Sequence, residues 1–264
     1  RCFYIEQRLK QELDIPVFHD DQHGTAIVVL AALINSLKIV KKKPKDIKVV
    51  IAGVGAAGIA CGNILLDYGV KNIIGVDSTG IITKDRDYKD NIYKSNFASK
   101  TNPENIKGDL QKALKNADCF IGLAGPNIVS PEMLLNMKKN SIVFALANPV
   151  PEIMPELIPA NITIMATGRS DYPNQVNNSL AFPGIFKGLL DVRAKTISDG
   201  MKISAAKAIA SVIPKNLLNP DFIIPSVFDK NVVEGVSKNI ASQAIEEGVS
   251  RKQKKEINYY SFKK

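Results

Sequence analysis

The sequence predicts an α/β protein built on a doubly wound, Rossmann-type parallel sheet with helices on both faces. Three observations carry this expectation. Strand-like and helix-like segments alternate along most of the 264 residues. A glycine motif, Gly53-Val54-Gly55-Ala56-Ala57-Gly58, stands where a β-branched run gives way to a helical one. An acid, Asp77, ends the following strand about 20 residues further on, where it can accept hydrogen bonds from the adenosine ribose.

The elements follow in order. Residues 15–18 read as a short strand, and the apolar run after Gly24-Thr25 as a helix, so Asp20 and Asp21 fall in a strand-to-helix loop. Residues 47–52 form a strand, 59–68 a helix closed by Gly69, and 72–76 a second strand. Further helices are expected near 108–116 and 131–139, with strands at 118–123, 141–146 and 162–166. Amphipathic segments at 204–213 and 227–245 return helices to the sheet, and the lysine-rich end is expected to fray. The organisation is a leading segment 1–45 with the acidic loop, a dinucleotide-binding core 46–191, and a helical segment 192–264 on the same domain.

Composition narrows the class. With 45% hydrophobic residues the chain can bury a sizeable core. No uninterrupted apolar run approaches the ~18 residues of a membrane span, because the run after Thr25 is cut by Asn35, Ser36 and Lys38, and no membrane partner is expected. The net charge of +9 comes mostly from lysines such as Lys41, Lys42, Lys43, Lys138 and Lys139, without interleaved aromatics. That pattern is a solvated surface that suits anionic ligands, and no nucleic acid is expected. Cys2, Cys61 and Cys119 are odd in number and far apart, which points to free thiols in a reduced, cytoplasmic compartment.

In the glycine turn, Gly53 permits the bend, Gly55 lets backbone approach a pyrophosphate, and Gly58 allows close packing of helix on strand. The helix N-terminus then offers free N–H groups to phosphate charge. Two adjacent carboxylates, Asp20 and Asp21, repel each other unless a cation is near, and Mg²⁺ or Mn²⁺ favours such oxygens. Helix capping explains the same pair equally well. Zinc is disfavoured, since His19 and His23 are the only histidines and lack the glutamate of a metalloprotease motif. Asn148 can orient a carboxylate, hydroxyl or carboxamide at a strand end, or simply make an Asn-Pro turn. Asn177 and Asn178 precede Pro183, which suits the first position of the next helix, although a plain loop accounts for them too.

Read in order, FHDDQHGTA from residue 18, GVGAAG from 53, VDSTGII from 76, ALANPVPEI from 145 and TGRSDYPNQVNNSLAFPG from 167 resemble the NAD-binding portion of bacterial-type malic enzymes. The resemblance runs nearly end to end. It implies oxidative decarboxylation of L-malate to pyruvate and CO₂ with NAD⁺ or NADP⁺ and Mg²⁺ or Mn²⁺. It makes Asp21 the metal ligand and Asp20 a neighbour that orients the catalytic lysine. Asn148 and Asn178 contact malate, Asn177 lies beside substrate and cofactor, and Asn148 also faces the cofactor. Gly53, Val54, Gly55, Ala56, Ala57 and Gly58 hold the pyrophosphate, with Asp77 near the ribose. Asp77 favours NAD⁺ by repelling a 2′-phosphate, whereas Ser78 and Lys84 can accommodate one.

The family carries its catalytic tyrosine and lysine, a malate-binding arginine and two further acidic metal ligands upstream of the matching region. The chain, which begins at Arg1, is therefore expected to be a fragment that binds cofactor with negligible turnover, and a homodimer when complete. The alternative is a non-catalytic dinucleotide-binding or regulatory module. An amino-acid dehydrogenase of similar architecture leaves the HDDQHGTA and PNQVNNSLAFPG segments unexplained.

Overall fold

A computed structural model describes residues 1–89 and 91–252, and the end of the lysine-rich tail lies outside the described residues. Six strands, β1 (Lys48–Ala52), β2 (Asn72–Asp77), β3 (Gly80–Ile81), β4 (Cys119–Gly122), β5 (Ser141–Ala145) and β6 (Ile162–Thr167), form a sheet in the order β3-β2-β1-β4-β5-β6. Every neighbouring pair is parallel except β2 with β3. The expected doubly wound α/β fold is present. The unforeseen β3 is antiparallel because only Ser78 and Thr79 separate it from β2, and so short a connection can make only a hairpin.

Nine helices accompany the sheet among the described residues: α1 (Cys2–Glu12), α2 (Thr25–Val40), α3 (Ala56–Tyr68), α4 (Ile92–Lys100), α5 (Leu110–Leu114), α6 (Pro131–Leu135), α7 (Phe182–Asp191), α8 (Asp199–Ser211) and α9 (Lys230–Glu246). Strand alternation sorts the core onto two faces. Val49, Ile51, Ile142 and Phe144 point to one side, where α2, α3, α7, α8 and α9 contribute. Val50, Ala52, Val143 and Ala145 point to the other, beneath α5 and α6. The segment after residue 191 joins this body, with α8 packed on α2 and α9 packed on α7 and α8.

Residues 15–18 are not a strand. Pro16 has no N–H to give a ladder, Ile15 is exposed, and the segment runs without a strand partner from α1 to a π-helical turn, Asp20–Gly24. That turn continues directly into α2, so Asp20 and Asp21 open a helix instead of occupying a loop. Together they make a helix of 21 residues that is long and apolar enough to cross a membrane by length and composition, and 72% of its most apolar stretch is buried inside this fold. Asn35 and Ser36 interrupt the apolar sequence without interrupting the helix. Asn35 is fully buried and donates to the carbonyls of Ala210 and Ile223, at 2.9 Å each, while Ser36 donates to Ala32 O.

Two further differences follow from side-chain partners. The unforeseen α4 is capped by Asn91, whose Oδ1 accepts from Lys94 N–H at 3.1 Å, and it buries only Phe97 and Ala98, too few for a legible period. Lys42 and Lys138, read as solvated surface, pair with the buried Asp118 at 2.9 and 2.8 Å.

Candidate functional site

The turn after β1 is built from backbone. Gly53 has φ +97°, a conformation that favours glycine, and its N–H donates to Val76 O at 2.8 Å. A Cβ there would overlap Leu123 O, and one on Gly58 would overlap Gly53 O. Gly55 faces open space. Since α3 begins after Gly55 with no side-chain cap, its first N–H groups remain available to an anion. Val54 is largely buried, yet with Gly53 and Gly55 it lines a cavity of about 720 Å³ that also takes in Asp77, Ser78, Ala124 and Gly125.

Asp77 lies at the end of β2, but its carboxylate is already engaged. Arg86 binds it bidentately at 2.9 and 2.8 Å, Lys94 reaches it at 2.6 Å, and Thr79 donates through both N–H and hydroxyl. Burial works to raise its pKa, but donation from Arg86, Lys94 and Thr79 outweighs burial and holds the carboxyl far below the usual range. Neither Arg86 nor Lys94 was legible as part of the site. Lys84 instead gives its backbone N–H to Asn105.

A second cavity, about 680 Å³, lies beside the same helix N-terminus and is lined by Asp20, Asp21, Ala57, Asn148, Asn177 and Asn178. The structure thus brings together the acidic pair and all three asparagines, while Asn148 lines this cavity and not the one beside Gly55. Asn178 ties the elements: its Nδ2 donates to Asp20 Oδ2 at 3.2 Å, and its Oδ1 accepts from Thr25 Oγ1 at 3.1 Å. Asn177 Oδ1 is occupied locally by the N–H and hydroxyl of Ser179. Pro183 is the second residue of α7, one place later than expected.

Neither aspartate caps a helix, since no side chain caps the π-turn or α2. Asp20 Oδ1 is buried without a partner, and Asp21 is exposed to the cavity, so the donors are all-oxygen and suit a hard cation. Among the described residues no group of three or more His, Cys, Asp or Glu could hold a metal, so two adjacent carboxylates are a partial ligand set.

The π-turn is anchored from outside this cavity. Glu6 of α1 is buried; its Oε2 accepts from Gln22 Nε2 at 2.8 Å, and its Oε1 lies 2.6 Å from both His23 Nε2 and Lys10 Nζ. Burial depresses the His23 pKa more than Glu6 raises it, so the imidazole is neutral at pH 7 and Lys10 is the ionic partner of Glu6. Burial works to raise the Glu6 pKa, but hydrogen bonds from His23 and Lys10 bring it down to about 2 from 4.5. A depressed carboxyl stabilises the fold fully above its unfolded pKa and loses that contribution as pH falls through the folded one. The stability advantage of wild type over Glu6→Gln is therefore expected to shrink between pH 4.5 and about 2. Thermal melts of both across that window check this, and a constant difference would contradict it.

Comparison with known proteins shows the family. The family model described as malic enzyme, NAD binding domain, matches residues 22–170 and 158–249. The chain belongs to that family. It is 56% identical over 261 residues to the NAD-dependent malic enzyme of Geobacillus stearothermophilus, covering 99% of this chain and 54% of that protein. It is 43% identical to the NADP-dependent malic enzyme of Rhizobium meliloti (strain 1021), covering 98% of this chain and 36% of that protein. Among solved structures, malic enzyme from Pyrococcus horikoshii Ot3 superposes with a TM-score of 0.90 at 48% identity, covering 96% of this chain and 60% of that one. The chain thus spans about half the length, or less, of these curated relatives. Relatives named for NAD and for NADP both match, so membership supports a nicotinamide dinucleotide without choosing between the two.

Proposed function

We propose that this chain is the dinucleotide-binding half of an enzyme that converts L-malate to pyruvate and CO₂ with NAD⁺ or NADP⁺ and Mg²⁺ or Mn²⁺. The observation that carries the reading is the cavity in which Asp20, Asp21, Asn148 and Asn178 face the N-terminus of α3, with the glycine turn on the other side of that helix end. When bound, the dinucleotide supplies the hydride acceptor for malate C2, and the metal supplies an electrophile for the C2 oxygen. The N–H groups at the start of α3 take the pyrophosphate. Asp21 offers its carboxylate to the cation. Asn178, held by Asp20 and Thr25, and Asn148 orient malate through neutral amides that both donate and accept. Asp20 orients the lysine base that family members carry outside the matching region.

Among the described residues lining that cavity there is no lysine, arginine, histidine or tyrosine. Proton transfer to and from substrate therefore falls to groups elsewhere in the longer protein, and the 264-residue chain alone should show negligible turnover. With the full-length protein, L-malate, Mn²⁺ and NAD⁺, reduced dinucleotide and CO₂ should appear one for one. Reduction without CO₂ release would contradict the proposal.

NAD⁺ is the preferred cofactor in this reading, because the Asp77 carboxylate pairs with Arg86 and Lys94 and so withholds both cations from a 2′-phosphate. Its engagement with two cations makes the preference switchable. Asp77→Ser leaves Arg86 and Lys94 without their carboxylate, and the ratio of kcat/KM for NADP⁺ to that for NAD⁺ should rise about tenfold or more. An unchanged ratio would remove Asp77 from discrimination. The complete protein is proposed to be a cytoplasmic homodimer acting on malate, with no nucleic-acid or membrane partner; a monomer in sedimentation would remove the dimer.

A further inference from the structure

Between the two cavities lies a carboxylate that lines neither of them, Glu152, which is fully buried. Its Oε1 accepts from Ala124 N–H at 3.0 Å, in the loop after β4, and its Oε2 accepts from Ala147 N–H at 3.1 Å, in the loop after β5. Ala124 lines the cavity beside the glycine turn, while Ala147 precedes Asn148, which lines the cavity of the acidic pair. The backbone holds Glu152 in place: Asn127 N–H donates to Pro151 O and Val129 N–H to Glu152 O, both at 3.1 Å. Gly122, at the end of β4, makes the room, for a Cβ there would lie 2.6 Å from Glu152 Oε2.

A buried carboxylate normally has a cation beside it. Here burial raises the Glu152 pKa, and what opposes burial is donation from backbone N–H groups of Ala147, Ala124, Glu152 and Leu146. An apolar residue would fill the space without a desolvation cost, yet would leave the part-buried Ala124 and Ala147 N–H groups without their acceptor. A glutamine would satisfy only one of them, since its NH₂ would face the other donor to donor.

We propose that Glu152 is a positioning residue for both ligands at once: its two oxygens hold the cofactor-side loop at Ala124 and the substrate-side loop at Ala147–Asn148 in one fixed relation. The proposal rests on the reading of the two cavities as dinucleotide and malate sites. Hydride transfer needs the two ligands aligned within a fraction of an ångström, and a brace joining both loops from behind supplies that alignment without touching either ligand.

The test uses the full-length protein and its Glu152→Gln variant, which keeps the side-chain volume. The Kd for reduced dinucleotide, read by fluorescence, and the KM for malate are both expected to rise about tenfold or more, alongside the modest fall in melting temperature that one unmatched N–H brings. A variant that melts lower but keeps both constants would make Glu152 purely structural, and a rise in only one constant would overturn the brace between two loops. Gly122→Ala, which retains the carboxylate but crowds it, should reproduce the double loss. In unmodified protein the Ala124 and Ala147 amides should exchange slowly with solvent deuterium, and rapid exchange at both would overturn the proposal whatever the variants do. Unmodified protein that keeps those amides protected but binds no dinucleotide would sink the functional reading on which the ligand assignment rests.

Discussion

Asp21→Asn in the full-length protein is expected to lower malate turnover about a thousandfold while dinucleotide affinity stays within about twofold. The replacement has the same shape and sits at an exposed position, so packing is untouched. What changes is charge: a neutral amide is a poorer partner for a hard cation than a carboxylate, and among the described residues the cavity is lined by just two carboxylates to begin with. Electrophilic assistance at the substrate oxygen is worth several kcal/mol, which sets the size of the loss. The dinucleotide turn borders the other cavity and should not respond. The apparent Mn²⁺ requirement should rise in parallel, and unchanged turnover at limiting Mn²⁺ would remove Asp21 from the metal site.

Gly58→Ala should abolish detectable dinucleotide binding and destabilise the fold by about 1–3 kcal/mol. The added Cβ would meet Gly53 O, which is backbone and cannot swing aside like a side chain. Gly53 cannot retreat readily either. Its N–H is committed to Val76, and any shift toward β4 brings it against Leu123 O. Gly55→Ala is the informative contrast, because nothing lies within 4 Å of a Cβ there. It should fold normally and still weaken binding, since the methyl occupies space the phosphate needs. Calorimetry with denaturant unfolding on both variants separates the effects; unchanged affinity in Gly58→Ala would contradict the assignment of the turn.

The dinucleotide core was legible because its signals are local. A β-branched run, the glycine turn and an apolar helix occupy residues 48–68 in sequence and in space. What was hidden depends on distant partners. α1 buries only Glu6, so it has no apolar stripe to read, and the value of Glu6 emerges only where it meets Gln22 and His23. Asp20 looked like half of a loop pair until Asn178, 158 residues later, proved to be its hydrogen-bond partner. Arg86 and Lys94 were anonymous surface charges because α4, which carries Lys94, and the hairpin before Arg86 were not foreseen. The ALANPVPEI segment drew attention to Asn148, whereas its glutamate matters through two backbone N–H groups that no sequence pattern displays.

Calorimetric titration of the 264-residue chain with NAD⁺ and NADP⁺, with and without Mn²⁺ and malate, tests the central claim most directly. The account predicts one dinucleotide site per chain that needs neither malate nor metal, with NAD⁺ the tighter ligand. Absence of binding by both dinucleotides would contradict the claim that this chain forms the cofactor site by itself.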